Sequence, residues 1–462
     1  MKLSTRSKEY IIPEYSLTGD LLSFLTCNLQ YRYQNKGNLP PSMPIQLWFG
    51  EFIHGVLEEA FIYWKAEESK SLENGEEMIS FPWDWEKDIQ PIEEKIIDRL
   101  KVKGLNPPND YIYNYGPKEN MYSARVDRSI NIWGPHLFPL IEDAEVLIKG
   151  IRDMPEDNEG NARSEYYSIN GVIDVLSSVK LDEISSLINY PSVKEEKKGK
   201  SFQQTLDSFF SITSDDINNP KDGKVNRILE YLAKNDEFNK ILKKFKGKEY
   251  EIIIDYKGMR RPTAPNNVDF DLSGFHLINN DSEGNNSKLN DYKNWIQHEW
   301  QILTYAWLRS MQEDAKPVIC GIIFYLNELV PSTEDLTLIR DDIRNNKTDI
   351  PISDKDWEIL DNWNEEIDLP IHRDLSDEFK MDRSIRIVTI KDDLIEGSLL
   401  EFDEVVNQIE SSMIKELNGS TIKQAWKAEA EERTCNACDF RTFCNKRNSK
   451  EENKNAAAFT VP

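Results

Sequence analysis

The stretch Tyr250–Gly258 reads YEIIIDYKG, and its apolar, β-branched run predicts a buried strand. Side chains two positions apart on a strand share a face, so Asp255 and Lys257 project together while Ile252, Ile254 and Tyr256 face the other way. A carboxylate beside an ammonium can be a cross-strand salt bridge at a sheet edge. The run IIID is too apolar for an edge, however, and burying both charges without a role is costly.

Upstream, AEVLIKGIR (144–152) and YYSINGVIDVLSS (166–178) alternate as strands on either side of the turn-forming PEDNEGN, which predicts a hairpin. Asp174 is expected at the end of the second strand, again a carboxylate where alternation calls for core. Downstream, QHEWQILTYAWLRSM (297–311) reads as a helix and PVICGIIFYL (317–326) as another buried strand. Residues 395–430 read as helical. Near the N-terminus helices are expected from Leu17 to about Tyr33 and from about Gln46 to Trp64. In the second, Phe49, Phe52, Ile53, Val56, Leu57, Ala60, Phe61 and Trp64 form the apolar side. Glu51, His54 and Glu58 recur on another side, so His54 points away from the stripe. Two strand-borne aspartates, a lysine and a helix-borne histidine suit a hard cation such as Mg²⁺ or Mn²⁺, and with it phosphodiester hydrolysis.

Three of five cysteines, Cys435, Cys438 and Cys444, fall in CNACDFRTFC, while Cys27 and Cys320 stand far upstream. A C-x2-C pair with a third cysteine six residues on reads as thiolate ligands rather than a disulfide framework. Cys320 lies within a buried strand, where a free cysteine is a small hydrophobe. Cys27, at the end of SLTGDLLSFLTC, is the better fourth ligand. Spacing alone leaves zinc and iron–sulfur both open.

With 462 residues, 39% hydrophobic, 10% aromatic and 30% charged, the chain is neither disordered nor fibrous. Its longest apolar run is about half of the ~20 residues a membrane-spanning helix needs. The opening MKLSTRSKEY lacks the apolar stretch of a secretory signal, so a cytoplasmic location is expected. The balance of 57 basic and 82 acidic residues, net −25, is unlike a free nucleic-acid-binding protein, which normally carries a basic footprint. It calls for a local basic groove or a basic partner.

INGVID, IIIDYK and QILTYA, in that order, resemble the motif set of RecB-type nucleases in the PD-(D/E)XK superfamily. FGEFIHGVLEEAF (49–61) is similar to the histidine-bearing helix that precedes those motifs. CNACDFRTFC with a lone N-terminal cysteine is similar to the four-cysteine iron–sulfur staple of CRISPR-associated iron–sulfur exonucleases and AddB-type nuclease domains. The resemblance implies a restriction-endonuclease-like α/β fold, a mixed sheet flanked by helices, with helical N- and C-terminal parts joined by the cluster. It makes Asp174, Asp255 and Lys257 catalytic, His54, Asp174 and Asp255 ligands of Mg²⁺ or Mn²⁺, and Gln301 and Tyr305 a DNA-facing pair. Cys27, Cys435, Cys438 and Cys444 would hold a 4Fe-4S cluster, with zinc the alternative. Arg260 and Arg261, just after the catalytic strand, are expected to contact DNA.

The expected organisation is an N-terminal helical part (1–138), a nuclease core (139–330) with an insertion at about 181–248, and a C-terminal part (331–462) ending in the cysteine loop. The function so implied is a metal-dependent deoxyribonuclease acting at ends or on single strands, in DNA repair or mobile-element defence. The rival is a DNA-end-binding or scaffold subunit that works through a basic protein partner or a helicase subunit. A zinc-dependent interaction protein is a third reading.

Overall fold

The computed structural model describes residues 12–37, 39, 45–74, 80–108, 111, 116–155, 163–180, 226–264, 286–364, 371–428, 430, 432–441 and 444. Six strands form one mixed sheet: β1 (Glu14–Ser16), β2 (Ile141–Asp153), β3 (Tyr166–Lys180), β4 (Glu249–Lys257), β5 (Val318–Tyr325) and β6 (Ile385–Thr389). The order is β1-β3-β4-β5-β6, with β2 paired to β3. The β1/β3 and β4/β5 pairs are parallel, and the others antiparallel. The main helices are α1 (Ile45–Asn74), α2 (Gln90–Val102), α3 (Met121–Arg128), α4 (Arg227–Lys234), α5 (Asp236–Lys244), α6 (Asn286–Ser310), α7 (Thr333–Arg344), α8 (Asp377–Ser384) and α9 (Asp392–Leu417).

The alternation of β4 divides the core in two. Ile252, Ile254 and Tyr256 pack with Phe49, Phe52, Ile53 and Val56 of α1 and with Ile96 of α2. Ile253, pointing the other way, packs with Trp300, Ile302 and Leu303 of α6 and with Phe402 and Val406 of α9. The sheet is thus a middle layer between two helical layers, and each such isoleucine contributes about 1.5–3 kcal/mol by burial. Helix α6 is buried on every side from Trp300 to Arg309, as expected of a helix apolar all round. It lies so close to β5 that a Cβ at Gly321 would meet Ile302 Cγ2 at 2.2 Å.

The hairpin and the β4 and β5 strands stand where the sequence places them, whereas α6 begins at Asn286, eleven residues before the helix expected at 297–311, and α9 ends at Leu417, short of the helix expected over 395–430. The α1 helix runs ten residues beyond its expected end at Trp64. The helix expected from Leu17 breaks at Cys27, whose extended backbone (φ −166°, ψ 113°) separates Leu22–Thr26 from Asn28–Tyr31. Asp174 lies mid-strand in β3, not at its end. The division at 138 and 330 does not mark separate bodies, because β1 and β6, from the first and last parts, are strands of the one sheet. Of the expected insertion, residues 181–225 lie outside the described residues. Its remainder is integral: Ile228, Leu229 and Leu232 of α4 and Phe238 and Leu242 of α5 are buried beside Tyr250 of β4. No helix among the described residues is long and apolar enough to cross a membrane.

Candidate functional site

The site forms where two antiparallel strands part. The β3–β4 ladder runs from Lys180↔Glu249 to Val175↔Ile254 and stops one step before Asp174 would face Asp255. Beyond that point β4 stays paired with β5 through Lys257↔Tyr325. The backbone groups of Tyr256 on the opened side are taken by side chains. Its amide donates to Asp174 Oδ2 at 2.8 Å, and its carbonyl accepts from His54 Nε2 at 3.0 Å. The other imidazole nitrogen, Nδ1, lies 3.5 Å from Asp174 Oδ2. Helix α1 thus delivers His54 to the gap from the edge of its apolar stripe, beside Leu57 and Phe61.

Lys257 Nζ lies 2.7 Å from Asp255 Oδ2 and donates to Gln301 Oε1 at 2.7 Å. Gln301 Nε2 in turn donates to Asp255 Oδ1 at 3.1 Å and to Tyr305 Oη at 3.2 Å. One amide therefore clamps both the acid and the base of the strand motif, since its oxygen can only accept and its nitrogen only donate. The Tyr305 ring fits over Gly171 of β3, where a Cβ would meet Tyr305 Cε1 at 2.6 Å. Gln301 and Tyr305, expected to face DNA, are both buried and engaged in holding the site.

The charges set one another. Burial would lower the basicity of His54, but the Asp174 carboxylate outweighs it and holds the imidazole up at about 9. Burial would raise Asp174, and the His54 and Lys257 cations instead keep it below the usual carboxylate range. Asp255 is pushed up to about 6 by burial, offset by Lys257 and reinforced by Asp174. Burial pulls Lys257 down, yet the two aspartates leave it raised. One carboxylate held below the usual range beside another pushed up to about 6 is a pattern found at functional sites.

A residue not foreseen from the sequence joins them. Flanking pairs Ala144↔Val175 and Val146↔Ile173 set Glu145 of β2 opposite Asp174. Ligand atoms of His54, Glu145 and Asp174 all lie within 4.8 Å of one another, a spacing that can hold one metal ion. Glu145 adopts a left-handed backbone (φ 54°), a strained state for a non-glycine residue. Its carboxyl is raised by burial and by the Asp174 and Glu58 charges. In AEVLIKGIR, Glu145 occupies an ordinary outward position, and only the pairing register could have singled it out.

All of these residues line one cleft of about 1350 Å³. Its walls carry Glu51, Glu58, Glu334 and Asp335 besides the site carboxylates, against Arg99, Lys103, Lys257 and Arg260. Each of those cations has a carboxylate partner: Arg99 with Glu58 at 3.8 Å, Lys103 with Glu51 at 3.3 Å, and Arg260 with Asp342 at 2.8 Å. Arg261 does not reach the cleft. Its guanidinium is buried, ion-paired with Asp349, bonded to the Ile385 carbonyl at 2.7 Å and set over the Trp295 ring. The expectation of two DNA-contacting arginines is thereby reduced to Arg260, because Arg261 is consumed in joining β4 to β6.

Segments from the first and last parts of the described chain meet. Leu29 N donates to the Lys427 carbonyl at 3.0 Å, Arg32 forms a two-pronged pair with Glu416, and the Tyr33 and Phe440 rings stand 5.5 Å apart. Backbone amides of Cys438, Arg441 and Cys444 donate to the carbonyls of Cys435, Cys438 and Arg441, each at 3.3 Å. The Cys27 thiol is raised by burial, with Cys444 and Cys435 adding to the effect. Cys438 is raised by burial and likewise senses Cys27 and Cys444. The four thiols share this neighbourhood without gathering as tightly as the His54–Glu145–Asp174 group, the one such group among the described residues. Cys320 is buried in β5 and stands apart from them, its thiol raised by burial alone.

No protein-family model matches this chain, and no curated protein does so at a significant level.

Proposed function

We propose that the chain is a cation-dependent DNA nuclease of the RecB type within the PD-(D/E)XK superfamily, acting at ends or on single strands. The observation that carries this reading is the meeting of Asp174, Asp255, Lys257 and His54 in one cleft, at the point where β3 and β4 separate. Four residues drawn from three elements, far apart in sequence, share this gap, and Gln301 holds two of them in register.

The donor set of carboxylate oxygens and one imidazole suits Mg²⁺ or Mn²⁺, with Asp174, Asp255, His54 and Glu145 the residues to hold it. Such an ion supplies charge neutralisation at the phosphoryl group and acidifies bound water. Lys257, held raised and protonated by its two aspartates, is placed to donate to a non-bridging phosphoryl oxygen and to stabilise charge that develops there. Gln301 keeps the ammonium aimed by accepting from it. The carboxylates of the cleft attract cations and repel phosphate, so substrate binding should depend on the divalent ion being present. An iron–sulfur cluster on Cys27, Cys435, Cys438 and Cys444, with zinc the alternative, would act as a structural staple between Cys27 and Cys435, 408 positions apart in the chain.

Incubation with labelled single- and double-stranded DNA and Mn²⁺ tests the reading, with release of nucleotides or short fragments expected. A second reading, a DNA-end-binding subunit relying on a basic partner or helicase subunit, is favoured by one observation: every Lys or Arg lining the cleft already has a carboxylate partner. Cleavage that appears only when such a partner is added would select it. Either reading would fit a role in DNA repair or mobile-element defence, as the resemblance implies.

A further inference from the structure

Beyond the cleft, a second cavity of about 360 Å³ opens between α3, the turn after β5 and α8. Arg125 separates the two, donating to the Val330 carbonyl, which lines the cavity, and pairing at 3.2 Å with Asp335, which lines the cleft. The cavity has the opposite electrostatic character. Four basic side chains, Lys118, Arg128, Arg373 and Lys380, face two carboxylates, Asp127 and Asp377. Arg128 and Lys380 share Asp377, the latter at 2.9 Å, so this one carboxylate serves two cations. Lys118 and Arg373 have no carboxylate partner among the described residues, in contrast to the cations of the cleft. His372 completes the lining, and its Nδ1 is buried without a hydrogen-bond partner among the described residues. Burial and the surrounding Arg373 and Lys380 hold this imidazole down at about 4, neutral at physiological pH and able to accept a hydrogen bond.

We propose that this cavity binds a phosphate monoester of nucleotide size. The surplus of cations matches a dianionic phosphoryl group, and Val330, Leu329 and Pro117 offer an apolar wall to its organic part. The site stands whether or not the cleft is a nuclease. Two sources supply such a group, a free nucleoside monophosphate or the 5′-phosphorylated end of a strand.

Equilibrium binding in EDTA, with inorganic phosphate, a nucleoside 5′-monophosphate and an oligonucleotide with or without a 5′-phosphate, tests it. The monophosphate, the 5′-phosphorylated strand or both should bind saturably. Affinity should fall about tenfold or more in the exposed double variant Lys118→Ala/Arg373→Ala. Preference for the monophosphate names a free nucleotide as the occupant. An oligonucleotide whose affinity requires its 5′-phosphate names a strand end. Absence of saturable binding to the wild-type protein, or equal affinity in the folded double variant, overturns the proposal.

Discussion

Asp174 takes the place of a missing rung in the sheet: its Oδ2 accepts from the Tyr256 amide at 2.8 Å where the β3–β4 ladder has ended. The same oxygen lies 3.5 Å from His54 Nδ1, so one carboxylate both closes the opened strand and anchors the histidine. This makes Asp174→Asn an informative change. The amide oxygen can still accept from Tyr256, preserving the strand, but the charge that would hold a cation is gone. Mn²⁺ binding is expected to be lost with little change in Tm, by titration calorimetry and thermal unfolding. A fall in Tm with cation binding intact would assign Asp174 to structure alone.

His54 makes cation binding pH-dependent. Without metal its imidazole stays protonated up to about 9, so a cation must displace that proton to bind. Affinity for Mn²⁺ should therefore rise with pH, by roughly tenfold per pH unit for one released proton between pH 7 and 9, and level off above. His54→Asn should flatten that slope. A variant that keeps the wild-type slope would take His54 out of the site.

Glu145 holds a left-handed backbone (φ 54°) at the position opposite Asp174. Glu145→Gln should weaken Mn²⁺ binding without destabilising the fold. Glu145→Gly should weaken binding too, yet raise Tm by relieving roughly 1–2 kcal/mol of backbone strain. Unchanged Mn²⁺ affinity in both variants would exclude Glu145 as a ligand.

Arg260 and Arg261 are neighbours with different surroundings. Removing Arg261 leaves the Arg383 and Ile385 carbonyls without their buried donor, while Asp349 is partly exposed, so Arg261→Ala should cost about 1–3 kcal/mol, read by denaturant unfolding. Arg260→Ala should cost far less. It should reduce the salt slope of single-strand binding by roughly 0.7 if Arg260 contacts one phosphate. An unchanged slope would leave Arg260 as a partner of Asp342 only.

Much of the fold was readable because its strongest elements carry one period. IIID and VICGIIFY read as buried strands and are so, whereas His54, expected away from the apolar stripe of α1, borders it beside Leu57 and Phe61. The pairing Asp255–Lys257 followed from the two-residue repeat of a strand. What could not be read depends on pairing between distant segments. Glu145 becomes a site residue only through its register against Asp174, set by a hairpin whose turn does not reveal its length. Arg261 differs from Arg260 only because β6, over a hundred residues later, supplies a carbonyl and Asp349 a carboxylate. The integral position of α4 and α5 was hidden by the polar stretch before them, although their own apolar spacing at Ile228, Leu232, Phe238 and Leu242 pointed to a packed face.

The most direct measurement of the central claim is single-turnover cleavage of an end-labelled single strand in Mn²⁺, comparing the wild-type protein with Asp255→Asn and Lys257→Ala. Wild-type cleavage that EDTA abolishes, and a loss of at least about 10²–10³-fold in both folded variants, is the predicted result. Cleavage at wild-type rates by either variant, or none by the wild-type protein with any divalent ion or added partner, would contradict it.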